Sequence, residues 1–234
     1  MQSGSTRVSA PASFFAAPWT ISRAANSAAW VVSVWGILYP RPYTLLVLLL
    51  LAMPWVAVMW VRQTHGVFSI DQQRRRPRPN LSIPFVMPGM ALLLRGVFDY
   101  HALDWARLIV YGFGIGSALC FAGLGADSSI RKWRIAPVFT MTLIYGVGAA
   151  MVANGLFDVF PSTTYHAEIL DKRVVHGKAI YYQLTVSPWG PRTTENRIEV
   201  SRELYQAVSV GGPVCANVNH GALGVPWYDV TACH

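Results

Sequence analysis

The side chains able to do chemistry are few and dispersed. Six histidines, at positions 65, 101, 166, 176, 220 and 234, are scattered along the chain. No HExxH helix, Walker loop, CxxC pair or GxSxG elbow occurs. No motif therefore calls for a metal, a cofactor or an activated nucleophile. The densest polar group is Arg95–Arg107, RGVFDYHALDWAR. On a helix, Arg95 could meet Asp99 and Asp104 could meet Arg107, since residues three or four apart share a face. His101 stands between these pairs. Together with Asp158, the group Arg95, Asp99, His101, Asp104 and Arg107 could gather at one membrane face. Ionisable groups at that depth raise a proton relay or metal site, with ion pairs that only fix helix register the commoner outcome.

The three cysteines divide. Cys120 lies in an apolar run, whereas Cys215 and Cys233 fall on the last two strands expected near the C-terminus. A hairpin would make those two neighbours, and an oxidising compartment would let them bridge. Two small buried apolar side chains are the alternative. The run GFGIG, Gly112–Gly116, superficially resembles a nucleotide loop. The fingerprint needs a third glycine after a soluble strand, and Ser117 stands in its place.

The elements that would carry these residues are mostly apolar helices. The chain is 53% hydrophobic and 13% charged, against about 25% charged for soluble domains. Thr44–Val61 has no charge and opens with seven apolar residues, Leu45 to Leu51. Each contributes roughly −0.3 to −0.6 kcal/mol to insertion. Spans are expected at about 44–61, 81–98, 108–126 and 135–157, close to the ~20 residues that hydrocarbon requires. Pro84, Pro88 and Gly89 interrupt the second, which reads as a broken helix or a re-entrant segment. Gly112, Gly116 and Cys120 recur every fourth residue, as do Gly146, Ala150 and Asn154. The two small-residue faces are expected to pack together. Residues 1–42 read as a tail followed by a short apolar stretch, Ala28–Tyr39. That stretch could lie in the interface, form a β segment, or make half of a hairpin turning at Pro40-Arg41-Pro42.

The net charge is +8, but its placement argues against nucleic acid. From Ser162 onward six basic residues meet six acidic ones, so the excess lies wholly in the helical part. Two basic loops, Arg62–Asn80 and Asp127–Arg134, fit a positive-inside signal that puts both in the cytoplasm. Arg74, Arg75, Arg76 and Arg78 could also contact anionic lipid. Four spans then leave the N-terminal tail and residues 162–234 outside, and the hairpin alternative moves only the N-terminus inside. Residues 162–234 change grammar to five short strands, near Tyr165–Val175, Ala179–Ser187, Arg197–Val200, Pro213–Val218 and Val225–Ala232, bounded by turn signals. Ser201 is a candidate N-cap between them. The expected fold is thus an α-helical integral membrane protein, 43–161, with a small all-β domain, 162–234, a five-stranded barrel or sandwich of SH3 or OB type. Trp189, Trp227, Tyr181 and Tyr205 read as core or rim, or as an aromatic groove.

The stretches LYPRP (Leu38–Pro42), LLLRGVFD (Leu92–Asp99) and GGPVCANVNHGALGVPWY (Gly211–Tyr228) resemble a group of uncharacterised proteobacterial inner-membrane proteins. The resemblance implies a bacterial inner-membrane location, a few spans and a small β module, and assigns no catalytic residue. The function expected is a non-enzymatic envelope protein. Its partners would be membrane lipids and a protein, an envelope polymer or a second copy of the chain. A transporter or channel component is the alternative, and a membrane enzyme comes third.

Overall fold

The structure, a computed structural model, describes residues 12–71, 78–176 and 180–233. It divides into two compact units, Met1–Gly96 with Ile109–Val152 and Val97–Leu108 with Ala153–His234. The helices are α1 (Ala12–Leu38), α2 (Tyr43–Gln63), α3 (Ser82–Asp99), α4 (Trp105–Ala126) and α5 (Ile135–Leu156). Among the described residues, four helical segments are long and apolar enough to cross a membrane: Tyr43–Gln63, Ser82–Asp99, Trp105–Ala126 and Lys132–Leu156.

In the first unit, α2 buries Leu46, Leu50, Ala57 and Val61 at helical spacing. Its opposite face, Leu45, Leu48, Leu49, Val56 and Met59, is exposed and just as apolar. Helices hydrophobic all round suit hydrocarbon, because their backbone polar groups are satisfied internally. The outward face of α4 repeats the pattern with Ile109, Val110, Phe113 and Phe121.

Where the prolines suggested a broken or re-entrant segment, α3 is one helix of 18 residues. Pro84 is its third residue, where first-turn amides have no intrahelical partner to lose.

The N-terminal reading needs correction. Residues from Ala12 form one helix that includes the supposed tail after residue 11 and the stretch Ala28–Leu38. Alanine is the best helix former, and polar side chains anchor the result. The Ser22 hydroxyl and the Asn26 amide donate to the Asn80 carbonyl at 2.7 and 2.8 Å. Asn26 Oδ1 accepts from the Ile83 amide at 3.2 Å. At the other end a Cβ on Gly36 would stand 2.9 Å from Leu50 Cδ1. So α1 lies against α2 and α3, as the hairpin alternative requires.

The two basic loops touch. The Ile70 amide donates to Asp127 Oδ2 at 2.8 Å, and Arg134 pairs with Asp71. This places both loops at one end of the helical unit.

The second unit is a six-stranded antiparallel curled sheet, a half-barrel. Its strands are β1 (His101–Ala102), β2 (Thr163–His176), β3 (Ile180–Val186), β4 (Asn196–Val200), β5 (Pro213–Asn219) and β6 (Trp227–Ala232), with α6 (Arg202–Ala207) after β4. The order across the sheet is β1-β6-β5-β2-β3-β4. It differs from the expected five-stranded barrel or sandwich in two ways. Residues between α3 and α4 add an edge strand, and the sheet stays open. The cause of the curl is the long β2, whose first half pairs with β5 and whose second half pairs with β3. An irregularity between Ile169 and Asp171 bends the strand between the two ladders. Ile169, Leu184, Val186, Ile198, Val214 and Trp189 form the core on the inner face. Alternate residues of β2, Ala167 and Ile169, point inward while Glu168 and Leu170 face out.

Candidate functional site

The sheet unit holds a cleft of about 730 Å³. Its walls come from elements far apart in sequence. Val97, Phe98 and Asp99 end α3, and His101 belongs to β1. Tyr181 is on β3, Glu199 and Val200 are on β4, and Ser201 and Leu204 begin α6. Asp229, Val230, Thr231 and Ala232 are on β6. Strands β1 and β4 are the two edges of the sheet, so the cleft occupies the seam where a closed barrel would join its ends.

Three carboxylates, Asp99, Glu199 and Asp229, line it with one imidazole. His101 stacks on Tyr228 with ring centroids 5.2 Å apart. Burial lowers the His101 pKa below its ordinary 6.5, while the charges of Glu199 and Asp229 pull the other way. The cleft is therefore lined by carboxylates, with an imidazole that burial biases toward its neutral form. Its floor is mixed: Val200, Leu204 and Val230 supply apolar area beside the charges. Such a surface suits a cationic group carried on an apolar stem.

Asp99 and His101 line the cleft. Asp104 and Arg107 pair with each other at 3.1 Å, and the Asp104 carboxylate accepts from the Arg107 amide, capping the start of α4. Arg107 also reaches the Gly224 carbonyl at 3.5 Å. Arg95 donates to the Ile37 carbonyl at 3.3 Å. Asp158 has a different task. Its Oδ2 accepts from the Gly221 amide at 2.7 Å and from Trp227 Nε1 at 3.1 Å.

Asn154 completes that arrangement. Its Oδ1 accepts from the Leu223 amide at 3.0 Å, its Nδ2 donates to the Val225 carbonyl at 2.8 Å, and its own carbonyl accepts from the Ala222 amide at 2.9 Å. The segment 221–227 is thus clasped to the end of α5. Gly221 sits so close, at φ +78°, that a Cβ would lie 2.5 Å from the Asn154 amide. Asn154 and Asp158 are thus engaged in building the fold.

The helix-packing residues meet in the first unit. A Cβ on Gly146 would overlap the Gly112 carbonyl and stand 2.6 Å from the Gly116 amide. Gly112 faces Val147, and Gly116 faces Thr142 and Leu143. Cys120 and Ala150 are both buried. GFGIG lies within α4 and holds no ligand-binding turn. Arg74, Arg75 and Arg76 lie outside the described residues, whereas Arg78 is half-buried in the loop before α3.

Cys215 and Cys233 are joined by a disulfide with Cα atoms 5.1 Å apart. Trp189 is core, edge-on to Tyr228 at 5.0 Å. Tyr205 packs under the Lys172 ammonium, 4.3 Å from its ring centroid. Only Tyr181 of the four aromatics singled out reaches the cleft.

Glu199 and Asp229 were not singled out by sequence. Each is an ordinary polar residue alternating on a strand, and only the register that curls β4 toward β6 gives them a shared purpose. No family model, curated protein or solved structure matches the chain.

Proposed function

We propose that the chain is a non-enzymatic, multi-pass protein of a bacterial inner membrane whose extracytoplasmic half-barrel binds an extended basic segment of a protein partner. The observation that carries this reading is the acidic cleft at the open seam of the sheet. Edge strands carry unpaired amides and carbonyls that accept an added strand. Glu199 and Asp229 select for lysine or arginine on that strand, and the apolar wall accommodates their stems.

Other features support the placement. Four membrane-length helices and their apolar outer faces suit lipid. The two basic loops meet at one end, which fits a common cytoplasmic side under the positive-inside rule. A disulfide suits an oxidising compartment for the sheet unit. The sequence resemblance to proteobacterial inner-membrane proteins agrees with both. That Asn154 and Asp158 hold a loop favours this reading over a transport role.

The test is peptide binding to the purified full-length protein in detergent. Fluorescent extended peptides rich in lysine and arginine are compared with acidic peptides of equal length. Exposed charge pairs contribute about 0.2–1 kcal/mol each. Neutralising two carboxylates in a Glu199→Gln, Asp229→Asn double variant should therefore weaken the basic peptide by about 2- to 30-fold. No preference for the basic peptide, or equal affinity in the double variant, refutes the reading.

A further inference from the structure

His166, Cys215 and Cys233 form a cluster outside the cleft lining. In the β2–β5 register His166 stands opposite Cys215, and Cys233 directly follows β6, the next strand over. Three neighbouring strands thus bring one soft or borderline ligand each to the same place. The His166 Nδ1 lies 3.6 Å from each of the two sulfurs, and the three ligand atoms lie within 4.8 Å of one another. Cys215 is buried, Cys233 half-buried and His166 exposed. One side of the cluster is therefore open to solvent reagents.

We propose that this cluster is a redox-gated site for a thiophilic divalent ion of the zinc class. It has no metal affinity while the disulfide stands and presents a Cys2His ligand set once the disulfide is reduced. The imidazole position carries the argument. In a tetrahedral site with Zn–N near 2.0–2.1 Å and Zn–S near 2.3 Å, the nitrogen-to-sulfur edge is about 3.5 Å. His166 already holds that spacing to both sulfurs, on a strand fixed by its own ladder. A bridge that served only to staple the sheet would not require it. The Cα separation of 5.1 Å lets the freed sulfurs part toward a tetrahedral edge of roughly 3.8 Å by side-chain rotation alone.

The chemistry balances with a dithiol reductant. A thiolate of R(SH)2 attacks one sulfur and expels the other, and its second thiol then resolves the mixed disulfide, leaving R as a cyclic disulfide. The two electrons pass to the Cys215–Cys233 bond, which becomes two thiols. Binding of the ion displaces one proton from each thiol, and neutral His166 contributes its Nδ1 lone pair. The exposed side of His166 leaves the fourth position to water, as in zinc sites with an open coordination place.

The test uses the full-length protein in detergent with Co2+ as the optical probe. After reduction by a phosphine and its removal under argon, one Co2+ per chain should produce thiolate-to-cobalt absorption that Zn2+ then abolishes. The unreduced protein should show none. His166→Ala, which keeps the bridge, should weaken Co2+ about tenfold or more after reduction. If reduction costs the sheet its circular dichroism, Zn2+ should restore that signal. Absence of thiolate absorption in the reduced protein overturns the proposal. So does equal affinity in His166→Ala, equal binding without reduction, or a lost sheet signal that Zn2+ fails to recover.

Discussion

Replacing Asn154 with leucine should loosen the loop that follows β5 while leaving the helices intact. The two side chains are similar in volume, so the change removes hydrogen bonds without opening a cavity. It strips the Leu223 amide of its acceptor and the Val225 carbonyl of its donor. Val225 is fully buried, at 0% exposure, and Leu223 is half-buried, so water replaces the lost partners poorly. A buried group left unpaired costs about 1–3 kcal/mol. The more exposed amide takes the low end, for a total near 3 kcal/mol. That corresponds to a roughly 150-fold rise in the population in which segment 221–225 has let go. Amide hydrogen exchange on the detergent-purified protein reads this directly. Protection at Ala222, Leu223 and Gly224 should drop by about two orders of magnitude, while amides of α2 keep theirs. Wild-type protection at those amides in Asn154→Leu would show that the clasp contributes nothing, and that the polar end of α5 is free for another role.

Other perturbations separate close approach from mere helix propensity. Gly146→Ala puts a methyl onto the Gly112 carbonyl and should lower stability by about 1–3 kcal/mol or more through overpacking. Gly114→Ala, where a Cβ meets nothing within 4 Å, should be neutral or stabilising by up to about 1 kcal/mol. Thermal unfolding in detergent distinguishes the two, and equal midpoints would refute the α4–α5 contact. The lowered pKa of His101 makes a pH prediction. Between its folded value and the ordinary 6.5 the unfolded chain binds more protons, so stability is complete above pH 6.5 and falls as pH drops through the folded value. Wild type should therefore lose more thermal stability than His101→Gln between pH 7.5 and 5, against the same background of Asp99, Glu199 and Asp229. A constant difference between them would refute the burial argument.

Much of the sheet was legible because its strands obey local rules. The run Pro213–Val218 becomes Pro213–Asn219, and Arg197–Val200 becomes Asn196–Val200. Ser201 caps α6 by accepting from the Leu204 amide at 3.2 Å. The membrane-length helices were legible for the same reason, since composition alone marks them. What failed was long-range. Strand β1 has two residues and no periodicity, and its partner β6 lies more than a hundred positions away. Helix α1 hides its inner face behind Ser22, Ala29, Ser33 and Gly36, while Trp30, Val31 and Trp35 point outward. A pattern of small and polar residues inside and aromatics outside reads as a tail or an interfacial segment, until the anchor at Asn80 is known. The cleft was half legible. Asp99 and His101 were chosen because polar residues crowd the end of an apolar run. Glu199 and Asp229 carry no such mark.

The position of α1 alters the topology that four spans alone would give. Asn26 meets Ile83 near the start of α3, and Ile37 meets Arg95 near its end. Eleven residue steps of α1 therefore run beside twelve of α3, which at 1.5 Å per step is a shared length of about 17–18 Å. A helix fixed at both points passes the same depth as its neighbour. If α3 crosses the hydrocarbon, α1 does so too, and the start of the chain lies on the side of the two basic loops. The segment after α5 then emerges in the other compartment. The expectation drawn from four spans put both termini outside, whereas a fifth crossing by α1 would put the N-terminus on the side of the two basic loops. An epitope at the N-terminus should resist protease added to spheroplasts and be cut after lysis, and one at the C-terminus should be cut in both. Cleavage of the N-terminal epitope in intact spheroplasts would mean that α1 packs along α3 without crossing, and the four-span arrangement would stand.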